Sequence, residues 1–187
     1  ADTALPQWES RIAAKTQSEK KPVIDGLVAH YPLDGGEASK TAQLAAGKIG
    51  KALKLDGKNQ LDLGDAIELE RDRAFSYGAW VRPAAAKPMN ILSRMNSGAG
   101  SRGFDLTFEN GPISVHLIHH WPANGIKVQT KNPIPSDRWT HVFATYDGSS
   151  KASGLRIYFD GIAQQLDVEK DALTDTIIAD VGFKIGR

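Results

Sequence analysis

Three of the chain's five histidines and one of its four tryptophans lie together in the stretch HLIHHWPANGIKVQT, residues 116–130. Histidines at this density could bind a metal ion, transfer a proton or offer polar contacts to a ligand. If Leu117 faces a core, strand alternation places His116 and His120 on the opposite face, about 13 Å apart. That distance is too long for two ligands of one metal ion, and His119 falls on the core side or at the rim. The sequence therefore predicts no metal site in this stretch.

A sugar-binding surface fits the same stretch better. Trp121 is followed by Pro122, Asn124 and Gly125, which predicts that it leaves its strand into a turn and exposes one ring face. Sugars stack their CH groups on aromatic rings, and planar polar side chains bind their hydroxyls. Two alternatives stay open, since Trp121 could cap the core edge beside solvated histidines or contact another protein. The candidate ligand-binding residues are Trp121, His120, His116, Asn124, Asp105 and Arg94.

Catalytic chemistry has little support in the sequence. A retaining glycoside hydrolase needs two carboxyl groups about 5 to 5.5 Å apart. In IELERD, the acidic residues Glu68, Glu70 and Asp72 alternate with Arg71 and Arg73, which predicts a solvated loop rather than a buried strand. The chain contains neither the G-x-S-x-G elbow of serine hydrolases nor a P-loop. Because it also has no cysteine, it has no thiol nucleophile and no disulfide, and the sequence predicts no enzyme.

Composition bounds the partners of the chain. Its 187 residues suit one domain with a small appendage. The 23 basic and 22 acidic side chains leave a net charge of +1, which gives no long-range field for nucleic acid or an anionic membrane. No apolar run reaches the roughly 18 residues that a membrane span needs. We therefore expect no nucleic-acid partner and no direct membrane insertion.

The elements that must position these residues are strands. Leu5, Trp8 and Ile12 have helical spacing, so residues 1–25 are predicted to form a connector with a short helix or an extended segment. From Gly26 onward apolar residues alternate with period two, which predicts an all-β sandwich or barrel. The predicted strand segments are GLVAHYPLDGG, the hairpin KALKLDGKNQLDLGD, FSYGAWVRP, NILSRM, GFDLTFENGP, ISVHLIHH, GIKVQT, WTHVFATYDG and GLRIYFDGIAQQLDV.

Aromatic and turn residues in these strands have a structural interpretation. Trp80 and Trp139 lie in apolar strands and are predicted to pack in the core rather than to stack on a ligand. His141 shares a strand face with Trp139 and is predicted to be structural. The glycines that follow aspartate are predicted to supply positive φ in hairpin turns, and they are Gly57, Gly148 and Gly161.

The order of the strands resembles the LamG-like domains of the concanavalin A-like jelly-roll superfamily. The matching pieces run from Gly26 to Arg187, and the most specific combination is W-x-H-V with T-Y-D-G and I-Y-x-D-G. HLIHHWPANGIKVQT and YDGSSKASGL are similar to the LamG-like domain of exported multi-domain proteins of the planctomycete-type cytochrome c family. The full set of matching pieces is GLVAHYPLDG, GKIGKALKLDG, FSYGAWVRP, ILSRM, DRWTHVFATYDGS, LRIYFDG and FKIGR.

The resemblance implies a two-sheet antiparallel jelly-roll sandwich over residues 26–187. It also implies an exported protein, periplasmic or at the cell surface, in which haem and catalysis belong to other domains. Related jelly rolls often hold a structural Ca²⁺ through carboxylates and carbonyls at strand ends. Asp34 is the first candidate ligand by resemblance, followed by Asp62 and Asp65. No other cofactor is expected in this chain.

The end of the chain gives one further expectation. VGFKIGR begins the closing part of the family pattern, which normally continues into a final strand that pairs near the first. We therefore expect the chain to be a fragment of a longer polypeptide in which another segment completes the sheet, because an unpaired edge beside Val28 and Leu53 would be sticky or frayed. A calcium ligand could lie on that missing strand.

Two hypotheses of function follow from these observations. The first is a non-catalytic carbohydrate-binding or adhesion module of a larger exported protein, with a glycan or polysaccharide as ligand. The second is a structural protein–protein interaction domain that docks neighbouring domains or subunits. A glycoside hydrolase is a third and weaker hypothesis, since it would need two facing carboxylates in a cleft.

Overall fold

The computed structural model describes residues 25–36, 40, 42–84 and 88–186. Chain contacts divide the polypeptide into two units, residues 1–30 and 31–187. The predicted connector over residues 1–25 lies outside the described residues except for its last position. In the first unit Leu27 and Val28 are exposed, Val28 by 80%, and neither is part of a strand. The prediction of a strand from Gly26 with Val28 in the core is therefore wrong, because no described strand pairs with this segment.

Thirteen strands make up the described secondary structure, together with two 3₁₀ turns. One turn, Ser97–Ala99, links two strands, and the other, Ala152–Gly154, precedes a third. The strands are β1 Gln43–Ala46, β2 Lys51–Lys54, β3 Leu61–Asp62, β4 Phe75–Val81, β5 Met89–Asn96, β6 Arg102–Phe108, β7 Ile113–His120, β8 Asn124–Thr130, β9 Thr140–Tyr146, β10 Leu155–Phe159, β11 Ile162–Ala163, β12 Leu166–Asp171 and β13 Lys184–Ile185. No described helix is long and apolar enough to cross a membrane.

Every strand pairing in the described part of the chain is antiparallel. A seven-stranded sheet has the order β12-β8-β7-β6-β5-β13-β3, and a four-stranded sheet has the order β11-β10-β9-β4. β1 and β2 form a separate two-stranded sheet. The two larger sheets share one buried cluster, which contains Leu106 and Val115 from the first and Val142 and Ile157 from the second. The predicted two-sheet antiparallel jelly-roll sandwich is confirmed.

One hydrogen bond joins the two sheets across the core. The Tyr77 hydroxyl of β4 donates to the backbone carbonyl of Asp105 in β6 at 3.0 Å. Burial, and after it the negative charge of Asp105, raises the pKa of Tyr77 well above 10.0. The ring of Tyr77 also lies 5.7 Å from that of Phe104, measured between centroids. β4 and β6 are therefore fixed face to face, with Asp105 on the opposite side of β6.

The hairpin predicted over residues 51–65 does not form. β2 pairs with β1 across a tight turn in which Gly47 N donates to Gly50 O at 3.1 Å. β3 instead pairs with β13, more than 100 residues later in the chain. The Asp-Gly turn itself is present, since Gly57 has φ 80° and Asp56 Oδ1 accepts from Lys58 N at 2.9 Å. The turn connects two different sheets, because β3 pairs with the remote strand β13 and not with β2.

Positive φ at the other two predicted turn glycines is confirmed. Gly148 and Gly161 each have φ 82°. Gly161 follows Asp160, which itself has φ 50°, and the two residues form the turn between β10 and β11. Two successive residues with φ > 0 are what a two-residue hairpin turn of type I′ requires.

The predicted loop IELERD is a connecting segment, as expected, but Glu70 is partly buried in it. The Glu70 carboxylate accepts hydrogen bonds from Thr176 Oγ1, from Ile177 N at 3.2 Å and from Arg71 N at 2.6 Å. Burial alone would raise the pKa of Glu70, but these hydrogen bonds lower it below the ordinary value of 4.5. Glu70 therefore ties the loop before β4 to the segment before β13.

We predict that Glu70→Gln makes the free energy of unfolding fall less steeply as the pH is lowered into the acid range. The folded state holds Glu70 at a lowered pKa, so its contribution is complete above pH 4.5, the ordinary value, and is lost as the pH falls through the folded pKa. Urea unfolding at a series of pH values between neutral and acid measures this slope. Glu68→Gln, the same change at an exposed residue of the same loop, is the control and should leave the slope unchanged. A Glu70→Gln curve parallel to that of the unaltered chain would contradict the assignment.

Candidate functional site

The outer face of the seven-stranded sheet carries a group of polar side chains. β6, β7 and β8 lie side by side, and their register places Asp105, His116 and Lys127 opposite one another. Alternate residues such as Leu117 are fully buried in the core, so strand alternation turns the polar residues outward. The group, here called the polar row, consists of Asp105, Glu109, His116, Lys127 and Gln129.

At the centre of the polar row Asp105 holds His116. The ring atom Nδ1 of His116 lies 2.7 Å from Asp105 Oδ1, and the backbone N–H of His116 donates to the same oxygen at 3.2 Å. Because a carboxylate accepts hydrogen bonds, Nδ1 carries the proton in this pair, whereas Nε2 lies 3.8 Å from Glu109 Oε1. The imidazole is therefore held in one orientation, with Nε2 directed along the face towards Glu109.

Glu109 organises the other end of the polar row. Its Oε2 lies 3.2 Å from Lys127 Nζ and accepts from Gln129 Nε2 at 2.8 Å. Lys127 also lies 3.0 Å from Glu169 Oε2 on β12. Burial alone would lower the pKa of Lys127, but the hydrogen bonds to Glu169 and Glu109 outweigh it and raise that pKa. The ammonium group is therefore held charged between two carboxylates.

Trp121 adds an aromatic ring to the polar row. It lies in the turn between β7 and β8, and its backbone N–H donates to Gly100 O at 2.8 Å. Its ring centroid lies 6.0 Å from that of His116 at an interplanar angle of 82°, an edge contact. Trp121 remains 36% exposed. The structure thus brings together three of the six candidate ligand-binding residues, Trp121, His116 and Asp105.

Two other candidates, Asn124 and His120, lie at the rim of the sheet. Asn124 donates to Thr174 Oγ1 at 2.8 Å and to Asp175 Oδ2 at 2.7 Å, and it accepts from Thr174 N at 2.9 Å. Its amide is therefore occupied in fixing the segment after β12. His120 is exposed and its ring packs against Gly100, where an added Cβ would lie 2.2 Å from Nδ1. The register shifts between Ile118 and His120, so the strict alternation of faces that the sequence suggested does not extend to His120.

Arg94 lies on the other face of the sheet. Its register partner is Phe104, a core residue. The guanidinium is buried and donates to Ile67 O at 2.6 Å and to Ala179 O at 3.3 Å, and it pairs with Asp65 at 3.2 Å. The placement of Arg94 beside the sugar surface is therefore wrong, because the alternation of β5 turns this side chain away from His116.

The three aspartates predicted for calcium do not converge. Asp65 pairs with Arg94 at 3.2 Å, and Asp62 Oδ1 accepts from Gly64 N at 2.9 Å in a turn. Asp34 lies near Gly50, where an added Cβ would be 3.3 Å from Oδ2. Within the part of the chain that the structure describes, no three His, Cys, Asp or Glu side chains are grouped for a metal ion. These side chains do not fit one Ca²⁺ site, and calcium binding stays a prediction without geometric support.

A second exposed surface was missed by the sequence analysis. On the outer face of the four-stranded sheet, the ring centroids of Trp80 and His141 lie 5.2 Å apart, and those of His141 and Phe143 lie 5.7 Å apart. Trp80 is 41% exposed, so its predicted core position is wrong, whereas Trp139 is half-buried. Lys48 Nζ lies 5.3 Å from the Trp80 ring centroid, a cation–π contact. We call Trp80, His141 and Phe143 the aromatic row.

Most of the chain, with both candidate surfaces, matches one known protein family. The sequence model Laminin_G_3, described as concanavalin A-like lectin/glucanases superfamily, matches residues 55–182. The chain is a Laminin_G_3 domain. The matched range includes the whole polar row, the aromatic row and Trp121, so the candidate surfaces belong to the Laminin_G_3 domain itself.

Two solved structures are similar to the Laminin_G_3 domain at low sequence identity. The binding domain of botulinum neurotoxin serotype G matches with 14% identity and a TM-score of 0.49, over 78% of this chain and 42% of that one. The carbohydrate-binding module CBM66 from Bacillus subtilis matches with 15% identity and a TM-score of 0.45, over 77% of this chain and 83% of that one. No curated protein matches the chain.

Proposed function

We propose that this Laminin_G_3 domain is a non-catalytic carbohydrate-binding module whose ligand lies over Trp121 and the polar row. The observation that carries the proposal is the 36% exposed ring of Trp121 in edge contact with His116, at the end of a row of planar polar side chains. An aromatic face can stack on the CH groups of a sugar, and the polar groups beside it can bind hydroxyls. Glu109, His116 and Gln129 supply both donors and acceptors for that purpose.

The polar row is also fixed before any ligand binds. Asp105 holds His116 at 2.7 Å and Glu109 holds Gln129 at 2.8 Å. A ligand that meets such side chains does not have to immobilise them, so less conformational entropy is lost on binding. This arrangement favours recognition of a rigid repeating ligand such as a polysaccharide.

The geometry gives less support to hydrolysis, although the family description covers both lectins and glucanases. Asp105 is buried and its Oδ1 already accepts from His116, so it is occupied in positioning the imidazole. Ser114, on the same face of β7, accepts from Gln129 Nε2 at 3.1 Å, and no contact joins its hydroxyl to His116. Among the described residues, His116 therefore has an orienting carboxylate, Asp105, but no nucleophile in contact with its ring.

Trp121→Ala tests the proposal, and we expect it to reduce the affinity for glycan by about fivefold to a hundredfold. Removing an aromatic side chain on which a ligand ring stacks costs roughly 1–3 kcal/mol of binding free energy. Each 1.4 kcal/mol corresponds to about a tenfold change in the dissociation constant. The measurement is binding of the chain to a glycan array, followed by titration with the strongest ligand. Trp80→Ala is the matched control, since Trp80 is similarly exposed but lies on the other sheet. Glycan binding that survives Trp121→Ala unchanged would remove this site.

A second candidate function is protein–protein docking through the aromatic row. Aromatic residues are enriched at the centres of protein interfaces, and Trp80 is 41% exposed on an open sheet face. On this alternative, Trp80→Ala would release a co-purifying domain or subunit of the parent protein, whereas Trp121→Ala would not. The setting in an exported multi-domain protein of the cytochrome c type remains a prediction.

A further inference from the structure

We infer that the site selects its glycan by charge, binding neutral or amine-bearing sugars and discriminating against those that carry carboxylate or sulfate groups. The inference rests on the proposed function and adds the class of ligand. It depends on the ionised groups around His116, beside Trp121. Acidic groups outnumber basic ones there, whereas the two are nearly equal in number in the whole chain.

The charged groups nearest to His116 are mostly acidic. Asp105 contacts one side of the imidazole and Glu109 the other, at 2.7 Å and 3.8 Å. Lys127 is the adjacent cation, but its side chain is only 13% exposed and lies within 3.2 Å of both Glu109 and Glu169. Two of its three N–H bonds are therefore directed at the protein's own carboxylates. An anionic sugar would have to compete with both of them for this ammonium.

Across the wider face the remaining charges nearly cancel. At one edge Lys131 lies 3.6 Å from Asp167, and at the other edge Lys184 of β13 is the register partner of Asp62, so these pairs offset each other. By strand alternation and contacts, the described carboxylates of this face outnumber its lysines by one. The carboxylates are Asp62, Asp105, Glu109, Asp167 and Glu169, and the lysines are Lys127, Lys131, Lys170 and Lys184.

This distribution makes Glu109 the residue that sets specificity. Its carboxylate is partly exposed, with a side-chain exposure of 26%, and can accept a hydrogen bond from a sugar hydroxyl or ammonium group. A ligand carboxylate or sulfate in the same place would meet a like charge, and like-charge contacts strongly disfavour a wrong partner. We expect an anionic polymer to bind at least about tenfold more weakly than its neutral counterpart.

The experiment uses pairs of glycans that differ in charge on related backbones. Suitable pairs are hydroxyethyl cellulose with carboxymethyl cellulose, galactan with polygalacturonate, and chitin with chitosan oligosaccharides. Binding of the full chain is measured at low salt and at about 1 M salt, where the Debye length is about 3 Å. In the cellulose and galactan pairs the neutral glycan should bind more tightly than the anionic one, and high salt should narrow that difference in affinity. In the third pair the amine-bearing chitosan should bind at least as tightly as neutral chitin.

Glu109→Gln identifies the group responsible. This variant should narrow the difference between neutral and anionic polymers by several-fold, whereas Glu68→Gln, the same change in the loop before β4, should leave it as it is. An anionic polymer that binds as tightly as its neutral counterpart, or a difference that Glu109→Gln does not alter, would overturn the charge selection and leave the proposed function standing. If the unaltered chain binds neither a member of any pair nor any glycan of the array, the proposed function itself fails, and this inference with it.

Discussion

Replacing Gly103 by alanine is expected to destabilise the folded state more than any other single substitution considered for this chain. Gly103 has φ 136°, and a Cβ at this position would lie 1.8 Å from the carbonyl oxygen of Arg94. No side-chain rotation can relieve a contact with backbone, so β5 must move away from β6. That movement also disturbs the buried guanidinium of Arg94, which binds Ile67 O and Ala179 O. We expect a loss of at least about 4 kcal/mol in the free energy of unfolding.

Gly57 provides a matched control for this substitution. It also has positive φ, 80°, but an added Cβ would meet nothing within 4 Å. Gly57→Ala should therefore cost only the left-handed backbone strain, about 1–2 kcal/mol. Urea unfolding followed by tryptophan fluorescence compares the two variants. Equal losses at the two glycines would mean that the close approach of β5 and β6 at Gly103 is not real.

The second large effect is expected at Phe104, which is only 2% exposed. Its ring centroid lies 5.7 Å from that of Tyr77 and 6.3 Å from that of Phe183. Phe104→Ala should leave a cavity where β4, β6 and the segment before β13 meet, at a cost of about 3–5 kcal/mol. Chemical denaturation gives the difference directly, provided that the slope with denaturant is unchanged.

Ile162→Ala is the control for the core substitution. Ile162 is 69% exposed on β11, so its truncation should change stability by no more than about 0.5 kcal/mol. A Phe104→Ala variant as stable as Ile162→Ala would show that the two sheets do not share a packed core at this point.

Strand alternation was enough to predict the sandwich but not all of its pairings. The burial of Leu117 and Phe104 could be predicted, because the alternation of apolar and polar residues along a strand is visible in the local sequence. The partner of β3 could not be found this way, because two residues with one leucine carry no information about which remote strand they meet. The Asp56-Gly57 turn suggested the neighbouring strand, and tertiary pairing with β13 overrode it.

The candidate site was predictable where it depends on one strand and not where it depends on several. His116 and Trp121 are close in sequence, and the outward phase of His116 follows from the alternation around it. Glu109 and Lys127 were missed, although alternation along β6 and β8 gives both side chains the same outward phase, because a single charged residue in or just after a strand is ordinarily solvated. Trp80 was wrongly predicted to be buried, because its size favours a core position. In FSYGAWV it alternates with Phe75 and Tyr77, and this spacing places it on the opposite, exposed face of the strand.

The pairing of β3 with β13 also has a consequence during protein synthesis. Ile185 pairs with Leu61 and Lys184 with Asp62, so the partners lie 124 and 122 positions apart in the sequence. Ribosomes add about 5–20 residues per second, so β3 is made roughly 6 to 24 s before its partner. During that interval Leu61 and Asp62 have no partner strand, and the edge of β5 that β13 later covers stays unpaired.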